Sequence, residues 1–203
     1  MTSAAQKWDA KYQQRDAKQS VSPAWVLQQH PELLPLKGKG LDLACGLGGN
    51  ARFMTQCGLS VEAWDISDVA LTELNNWAAV NRLPIQPTLC DLTQMLLPYQ
   101  RFDVITVSLY LDRQLFPQIE QALKPGGKLF YQTYLAPVQA NAPSNPDFYL
   151  KSSEFSKAFP SLTTEIYGEG FLPSAPTEEH SPNRDKISNT TRQAWYIGSK
   201  PLN

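Results

Sequence analysis

The run LDLACGLGGN, Leu41 to Asn50, constrains this chain more than any other feature. A short apolar strand passes directly into glycines that open a helix. Gly46 and Gly48 permit a sharp turn and a close backbone approach to a ligand, while the free amides at the helix start carry partial positive charge. Glycines at this spacing also occur in plain strand-to-helix turns, so the motif needs a second observation. Asp65 supplies it, since it ends the next strand 65 − 46 = 19 residues after Gly46, where an acidic side chain accepts hydrogen bonds from ribose hydroxyls. That spacing points to an adenosine-type ligand. Gly46, Gly48 and Ala51 also satisfy the G-x-G-x-x-A form of the dinucleotide fingerprint, which leaves a dinucleotide and a sulfonium nucleoside as alternatives. Asp42 favours the second: a carboxylate aimed at this end of the pocket repels a pyrophosphate and suits a cation. Its other reading is a carboxylate that caps a neighbouring turn.

Apolar periodicity alternates short β-type runs with longer helical ones, the pattern of a mostly parallel sheet covered by helices. The spacing predicts helices over Ala4 to Arg15 and over Pro23 to Gln29, the second opened by Pro23 and capped by Ser22. A strand at Gly40 to Ala44, a helix at Gly49 to Gln56, a strand at Ser60 to Trp64 and a helix at Ser67 to Asn81 follow. Strands at Ile85 to Cys90 and Phe102 to Ser108, a helix at Asp112 to Leu123 and a strand at Lys128 to Tyr134 continue the alternation, with Lys124 to Gly127 as a turn. Beyond a Pro- and Asn-rich stretch lie a short helix at Ser153 to Ala158 and two strand-like runs, Leu162 to Tyr167 and Arg192 to Ile197, which read as a terminal hairpin. The expected fold class is therefore α/β: a doubly wound, mostly parallel seven-stranded sheet with a C-terminal antiparallel hairpin.

At 203 residues, 42% hydrophobic and 18% charged, the chain is expected to form a single domain over 1–203, with 1–30 as an N-terminal helical cover and 135–160 plus 171–191 as loops on the substrate side. A net charge of -1 supplies no field for a polyphosphate backbone, so no nucleic acid partner is expected. The apolar runs fall far short of the roughly 20 residues that cross a bilayer, so no membrane association is expected. Without an apolar run after its first lysine, the N-terminus carries no secretory signal, which makes a cytoplasmic location the expectation. Cys45, Cys57 and Cys90 are not spaced as CxxC, and two histidines add too little for a metal site. The oligomeric state stays open.

At this point the residues resemble the class I S-adenosylmethionine-dependent methyltransferases, in which a run such as LDLACGLGGN is the main cofactor motif. WDAKY (Trp8 to Tyr12), WDISDVAL (Trp64 to Leu71), CDL (Cys90 to Leu92), FDVITVSLYLDRQLFP (Phe102 to Pro117), LKPGGKLFYQTY (Leu123 to Tyr134) and PSNPDFYLKSSEF (Pro143 to Phe155) extend the likeness to a bacterial subgroup related to tellurite-resistance methyltransferases. That resemblance implies a Rossmann-like methyltransferase fold and S-adenosyl-L-methionine as cofactor. It implies that Asp42, Ala44, Gly46 and Gly48 border the methionine part, that Asp65 binds ribose and that Ile66 lies against adenine. Asp91 would accept from the adenine amino group, Leu92 would meet the purine edge, and Ser108 would face the sulfonium. Similar sequences often carry Arg where this chain has Gly49, leaving Arg15 and Arg52 as candidates, on charge, for the cofactor carboxylate. A nicotinamide-dependent oxidoreductase and a noncatalytic nucleotide-binding protein are the competing readings.

The acceptor is expected to be a small molecule lying off the carboxyl ends of the strands. Tyr110, Arg113 and Tyr134 follow or end strands there and are the substrate-side candidates, with packing or a local ion pair as the alternative for each. Trp8 and Tyr12, four residues apart, share one helix face and either cover the cofactor, whose sulfonium attracts aromatic faces, or pack in the core. Neither His30 nor His180 falls at a strand end facing the methyl group, and Asp112 is placed to cap a helix. No catalytic base stands out, which suits a thiol or chalcogen nucleophile. Glu178, Glu179, His180 and Arg184 fall in the loop between the hairpin strands.

Overall fold

The alternation of apolar residues resolves into two layers around one sheet. A computed structural model describes residues 3–15, 20–173 and 190–202. Strands β1 (Gly38–Leu43), β2 (Leu59–Asp65), β3 (Ile85–Leu89), β4 (Phe102–Ser108) and β5 (Leu123–Tyr134) pair in parallel. With β6 (Thr163–Pro173) and β7 (Thr190–Ser199) they form a seven-stranded sheet of order β3-β2-β1-β4-β5-β7-β6. Strand β7 is antiparallel to both of its neighbours, so β6 runs parallel to β5 and ends on the same rim as the parallel strands. The terminal hairpin of the sequence reading is thus present, with its second strand inserted between β5 and β6.

Residues two apart along each strand share a face, and the two faces carry separate cores. On one face Leu41, Leu43, Ile105, Val107, Leu129 and Tyr131 pack with Phe116 and Ile119 of α5 (Phe116–Ala122) and Phe155 of α6 (Phe155–Ala158). On the other, Val61, Ala63, Val104, Phe130 and Ile197 meet α2 (Trp25–Gln29), α3 (Gly49–Gln56) and α4 (Asp68–Asn81). Helix α1 (Ala4–Gln13) is held by a capping box between Ser3 and Gln6 and contributes no buried residue.

Several boundaries depart from the sequence reading, among them that of the helix expected at Asp112 to Leu123, which begins at Phe116 after a 3-10 turn at Arg113–Leu115, and three more have a clear cause. Helix α2 begins at Trp25 rather than Pro23, and Ser22 does not cap it. Instead the Ala24 amide donates to Asn50 Oδ1 at 2.8 Å and the Val26 amide to Gln132 Oε1 at 2.9 Å. Lys124 to Gly127 lies inside the span of β5, as an irregularity between the register pairs Phe102↔Leu123 and Val104↔Lys128. Strand β6 continues through Gly168 and Gly170 to Pro173, because the Trp195 ring of β7 fills the space beside both glycines. No helix among the described residues is long and apolar enough to cross a membrane.

Candidate active site

The turn after β1 is built from left-handed residues. Ala44, Gly46 and Gly48 have φ of 51°, 52° and 74°, values that an alanine adopts only under strain and a glycine freely. Gly48 is also held by packing, since a Cβ there would come within 2.5 Å of the Leu74 side chain on α4. Asp65 closes the turn from the neighbouring strand: its Oδ2 accepts from the Gly46 amide at 2.7 Å and its Oδ1 from the Ser67 amide at 2.9 Å. Burial pushes the Asp65 pKa up, and the amides of Gly46, Ser67 and Ile66 oppose that shift. Ile66, between the two bonded residues, remains partly exposed beside the turn.

Asp42 requires a correction. Its carboxylate is fully buried and does not open toward a ligand. Oδ1 accepts from Asn50 Nδ2 at 3.0 Å and from Thr106 Oγ1 at 3.1 Å, and Oδ2 accepts from the Ala51 amide at 3.0 Å. It is therefore a capping carboxylate for the first turn of α3, the other of its two sequence readings. Burial lifts its pKa to about 7, against the hydrogen bonds of Asn50, Thr106 and Ala51.

Asn50 extends this layer. Its Nδ2 also donates to Ser108 Oγ at 3.0 Å, at the end of β4. Further along the same face, Gln132 Nε2 donates to Gln193 Oε1 and Gln193 Nε2 to Thr191 Oγ1, both at 2.7 Å. A buried polar layer thus crosses β1, β4, β5 and β7 beneath the segment that enters α2. Sequence reasoning missed Asn50, Thr106, Gln132 and Gln193. Three polar residues at alternate positions, Ser108 after Thr106 and Gln132 opposite it, were the available signal.

Helix α1 lies over the glycine turn. A Cβ on Gly46 would come within 2.5 Å of the Tyr12 hydroxyl. Tyr12 stacks on Trp8 with ring centroids 6.0 Å apart, and burial followed by the charges of Asp65, Cys45 and Asp42 raises its pKa well above the ordinary tyrosine value. Asp9 Oδ1 accepts from Ser67 Oγ at 2.6 Å and from the Val69 amide at 3.3 Å, which ties α1 to the start of α4. Gly49 cannot carry a side chain at all, because a Cβ there would run into the Ser22 carbonyl.

Residues 41–127 match the family model described as a methyltransferase domain. That stretch, from β1 to the turn within β5, is similar to a methyltransferase domain. It is 33% identical over 106 residues to the ubiquinone biosynthesis O-methyltransferase of Coxiella burnetii, an alignment covering 49% of this chain and 45% of that protein. The chain thus spans less than half the length of the curated relative it matches. Among solved structures, TehB from Haemophilus influenzae superposes with a TM-score of 0.66 at 20% identity, over 86% of this chain and 61% of that one. An S-adenosylmethionine dependent methyltransferase from Mesorhizobium loti superposes at 0.63, also at 20% identity, over 89% and 100%. At these identities the structures show a shared fold. With Asp42 turned inward, it is this match, rather than the carboxylate, that favours the sulfonium nucleoside over the dinucleotide alternative.

Just after β3, the Asp91 carboxylate is folded back onto the Thr93 amide at 2.9 Å and Thr93 Oγ1 at 2.7 Å, on an exposed residue. Leu92 is buried with Leu111 and Leu115, so its side chain enters the core and only its backbone is left for the purine edge expected of it. Tyr110 is half-buried between these elements, and burial followed by the charges of Asp112, Asp91 and Asp65 raises its pKa to about 12. Tyr134 leans on Tyr149 with centroids 5.7 Å apart, and burial raises its pKa to about 12.

Arg113 is the second correction. Its Nε and Nη2 donate to Glu154 Oε1 and Oε2 at 2.5 and 2.9 Å, and Nη2 donates to the Tyr149 carbonyl at 3.2 Å. The guanidinium fastens the connection after β5 to the turn that precedes α5, an ion pair in place of the free rim cation of the sequence reading. Asp112 accepts from the Gln114 amide at 2.9 Å and caps the helical turn it opens. Glu178, Glu179, His180 and Arg184 lie outside the described residues. Among the described residues no cluster of His, Cys, Asp or Glu could hold a metal ion.

Proposed function

We propose that this protein is an S-adenosylmethionine-dependent methyltransferase acting on a small molecule whose nucleophilic atom is soft or already ionised, a thiolate or a reduced chalcogen. The observation that carries this reading is the chemistry of the rim around Ser108. Ser108 is bonded to the Asn50 amide, the Asp42 carboxylate behind it is closed off by three donors, and the Asp112 carboxylate is engaged by the Gln114 amide. An acceptor that must lose a proton needs a base; an ionised one does not.

The residues take the following parts in this reading. Gly46 and Gly48, with the Ala44 backbone, border the amino-acid end of the cofactor, and Asp42 acts behind them by holding the α3 amides and Asn50 in place. Asp65 exchanges its bond to the Gly46 amide for the ribose hydroxyls. Ile66 and the backbone at Leu92 flank the adenine, and Asp91 accepts from its amino group. Trp8 and Tyr12 cover the pocket from α1. When bound, the cofactor supplies an electrophilic methyl group on a sulfonium. Ser108 accepts a hydrogen bond from Asn50, which leaves its own proton to a second partner, the acceptor in this reading. Tyr110 and Tyr134 bound the acceptor and exclude water, so that alignment and desolvation supply the acceleration.

Transfer of labelled methyl groups to thiol, chalcogen, amine and carboxylate acceptors tests the proposal. Turnover on thiols or chalcogens well above the others is the expected result. Preferred turnover on an alcohol, amine or carboxylate overturns it.

A further inference from the structure

At the amino ends of β1, β4 and β5, the rim opposite the glycine turn, cations face outward and carboxylates face in. Glu62 Oε1 accepts from Lys39 Nζ at 3.0 Å and from Arg101 Nη2 at 2.5 Å. Glu62 is buried, whereas Arg101 is exposed and Lys39 half-buried. Asp103 Oδ2 accepts from the Lys39 amide at 2.7 Å and from Lys124 Nζ at 2.8 Å. Lys200 Nζ donates to the carbonyls of Glu120 and Leu123 at 2.9 and 2.8 Å and has no carboxylate partner among the described residues. Lys37 is exposed and forms no ion pair among the described residues. The other carboxylates of this rim are engaged: Glu120 accepts from the Ser161 amide at 2.7 Å, and Glu165 holds Lys128 Nζ at 2.6 and 2.8 Å. A chain of net charge -1 thus turns a cationic edge to solvent at one end of its sheet.

Apolar side chains stand among these charges. Leu36, Tyr99 and Leu202 are 92%, 71% and 83% exposed. Contacts join them into one patch. Lys200 Nζ lies 5.7 Å over the Tyr99 ring, and the Lys200 backbone is bonded to Gly126 and Gly127. The Leu202 side chain lies against Gly126, where a Cβ would come within 3.0 Å of it. Pro125 and Gly126 face Leu34 and Pro35, which lead into Leu36, across a cavity of about 350 Å³ that Asp103 and Lys128 also line. Exposed leucines ringed by lysine and arginine match a surface that is anionic at its face and apolar beneath it. An acidic polypeptide would meet the cations and leave the leucines in water. We propose that this rim docks on anionic lipid headgroups, with Leu36 and Leu202 entering the boundary of the acyl chains. The contact is peripheral and needs no spanning segment. Because β1 runs from this rim at Gly38 to Leu43 at the glycine turn, docking leaves the candidate active site facing away from the bilayer.

Flotation of the whole protein with lipid vesicles tests the docking. Phosphatidylcholine vesicles containing about one-third phosphatidylglycerol are expected to carry the protein with them, and pure phosphatidylcholine vesicles to leave it behind. Salt at about 0.5 M is expected to release it. Lys37→Glu exchanges a cation for an anion at the bilayer surface and is expected to weaken the partition by about tenfold or more. Leu36→Ser, at a side chain that the fold does not bury, is expected to weaken it by about tenfold, which attraction through charge alone does not produce. Lys151→Glu makes the same charge change near the opposite rim, where the Leu150 amide bonds the Tyr134 carbonyl, and is expected to bind as the wild type does. No flotation with anionic vesicles, equal flotation with both kinds, or equal losses from Lys37→Glu and Lys151→Glu overturn the proposal. Undiminished binding by Leu36→Ser overturns it as well, as does retention on polyglutamate without flotation, which would point to an acidic polypeptide instead.

Discussion

The Tyr12 hydroxyl packs against Gly46, so the helix and the turn proposed to cover and to cradle the cofactor meet directly. Gly46→Ala sets two constraints against each other there: a Cβ displaces the Tyr12 ring, and φ of 52° strains any L side chain. The backbone strain alone costs about 1–2 kcal/mol. We expect a lowered Tm, loss of S-adenosylmethionine binding by calorimetry and faster amide exchange across α1. Unchanged exchange in α1 would show that the tyrosine simply rotates aside.

Removing residues 1–18 tests the cover separately. Helix α1 supplies no residue to either core, so both cores persist without it, while the bonds from Asp9 to Ser67 and Val69 disappear. Loss of that capping is worth about 1 kcal/mol. The truncated chain is expected to keep its circular dichroism spectrum and to lose cofactor affinity and turnover. Full activity, or failure to fold, counts against a covering role.

Asp65→Ala acts on fold and ligand together. It strips the acceptor from the Gly46 and Ser67 amides, which costs about 1–3 kcal/mol for each donor left buried without a partner. It also removes the ribose acceptor, for a further loss of about 1.5–3 kcal/mol in binding. Chemical denaturation and calorimetry on the same preparation separate the two. Undiminished cofactor affinity would remove Asp65 from the site.

The sheet and the turn were legible because their causes are local. Apolar alternation, the glycines and the turn from Asp65 to Ser67 all act within a few residues of themselves. What escaped was set by partners far along the chain. Ser22 looks like a cap for α2, yet the amides there are met by Asn50 and Gln132, 26 and 106 residues away. Gly168 and Gly170 weaken the strand signal of β6, and only the Trp195 ring opposite them restores it. Arg113 reads as a rim cation until Glu154, 41 residues on, is folded against it. Asp42 illustrates the limit best: its position in the motif was plain, but its direction depended on Thr106 from another strand.

Asp42 also gives the stability of the fold a pH dependence. Burial raises its pKa from 3.8 to about 7, so the folded state holds the proton more tightly than the unfolded chain. Its contribution is complete below pH 3.8 and is lost as the pH rises toward 7. Asp65, whose pKa is also raised by burial, acts in the same direction. Urea denaturation from pH 4 to 8 is therefore expected to show Asp42→Asn with a shallower decline than the wild type across this window, on top of a lower absolute stability from mismatched donors at Asn50 and Thr106. Parallel curves for the two proteins would contradict a raised pKa.

The final prediction concerns the absence of a dedicated base. Burial raises the pKa of both Tyr110 and Tyr134 to about 12, so near neutral pH each keeps its proton and serves as a donor or a wall. Asp112 is occupied by the Gln114 amide, and Asp42 by three donors. A thiolate or chalcogen acceptor then sets the pH profile through its own ionisation, with kcat/KM rising through the acceptor pKa and shifting when an acceptor of different pKa is supplied. Tyr110→Phe, Tyr134→Phe and Asp112→Ala are expected to reduce kcat by less than about tenfold, below the 10²–10⁴ that general-base catalysis contributes. His180→Ala completes the set, since in sequence it lies between β6, which ends on that rim, and β7. A hundredfold fall in kcat from one substitution, with cofactor and acceptor both still bound, would identify a base and exclude the soft-nucleophile reading. A profile that moves with the acceptor in every variant would leave alignment and desolvation as the source of the rate.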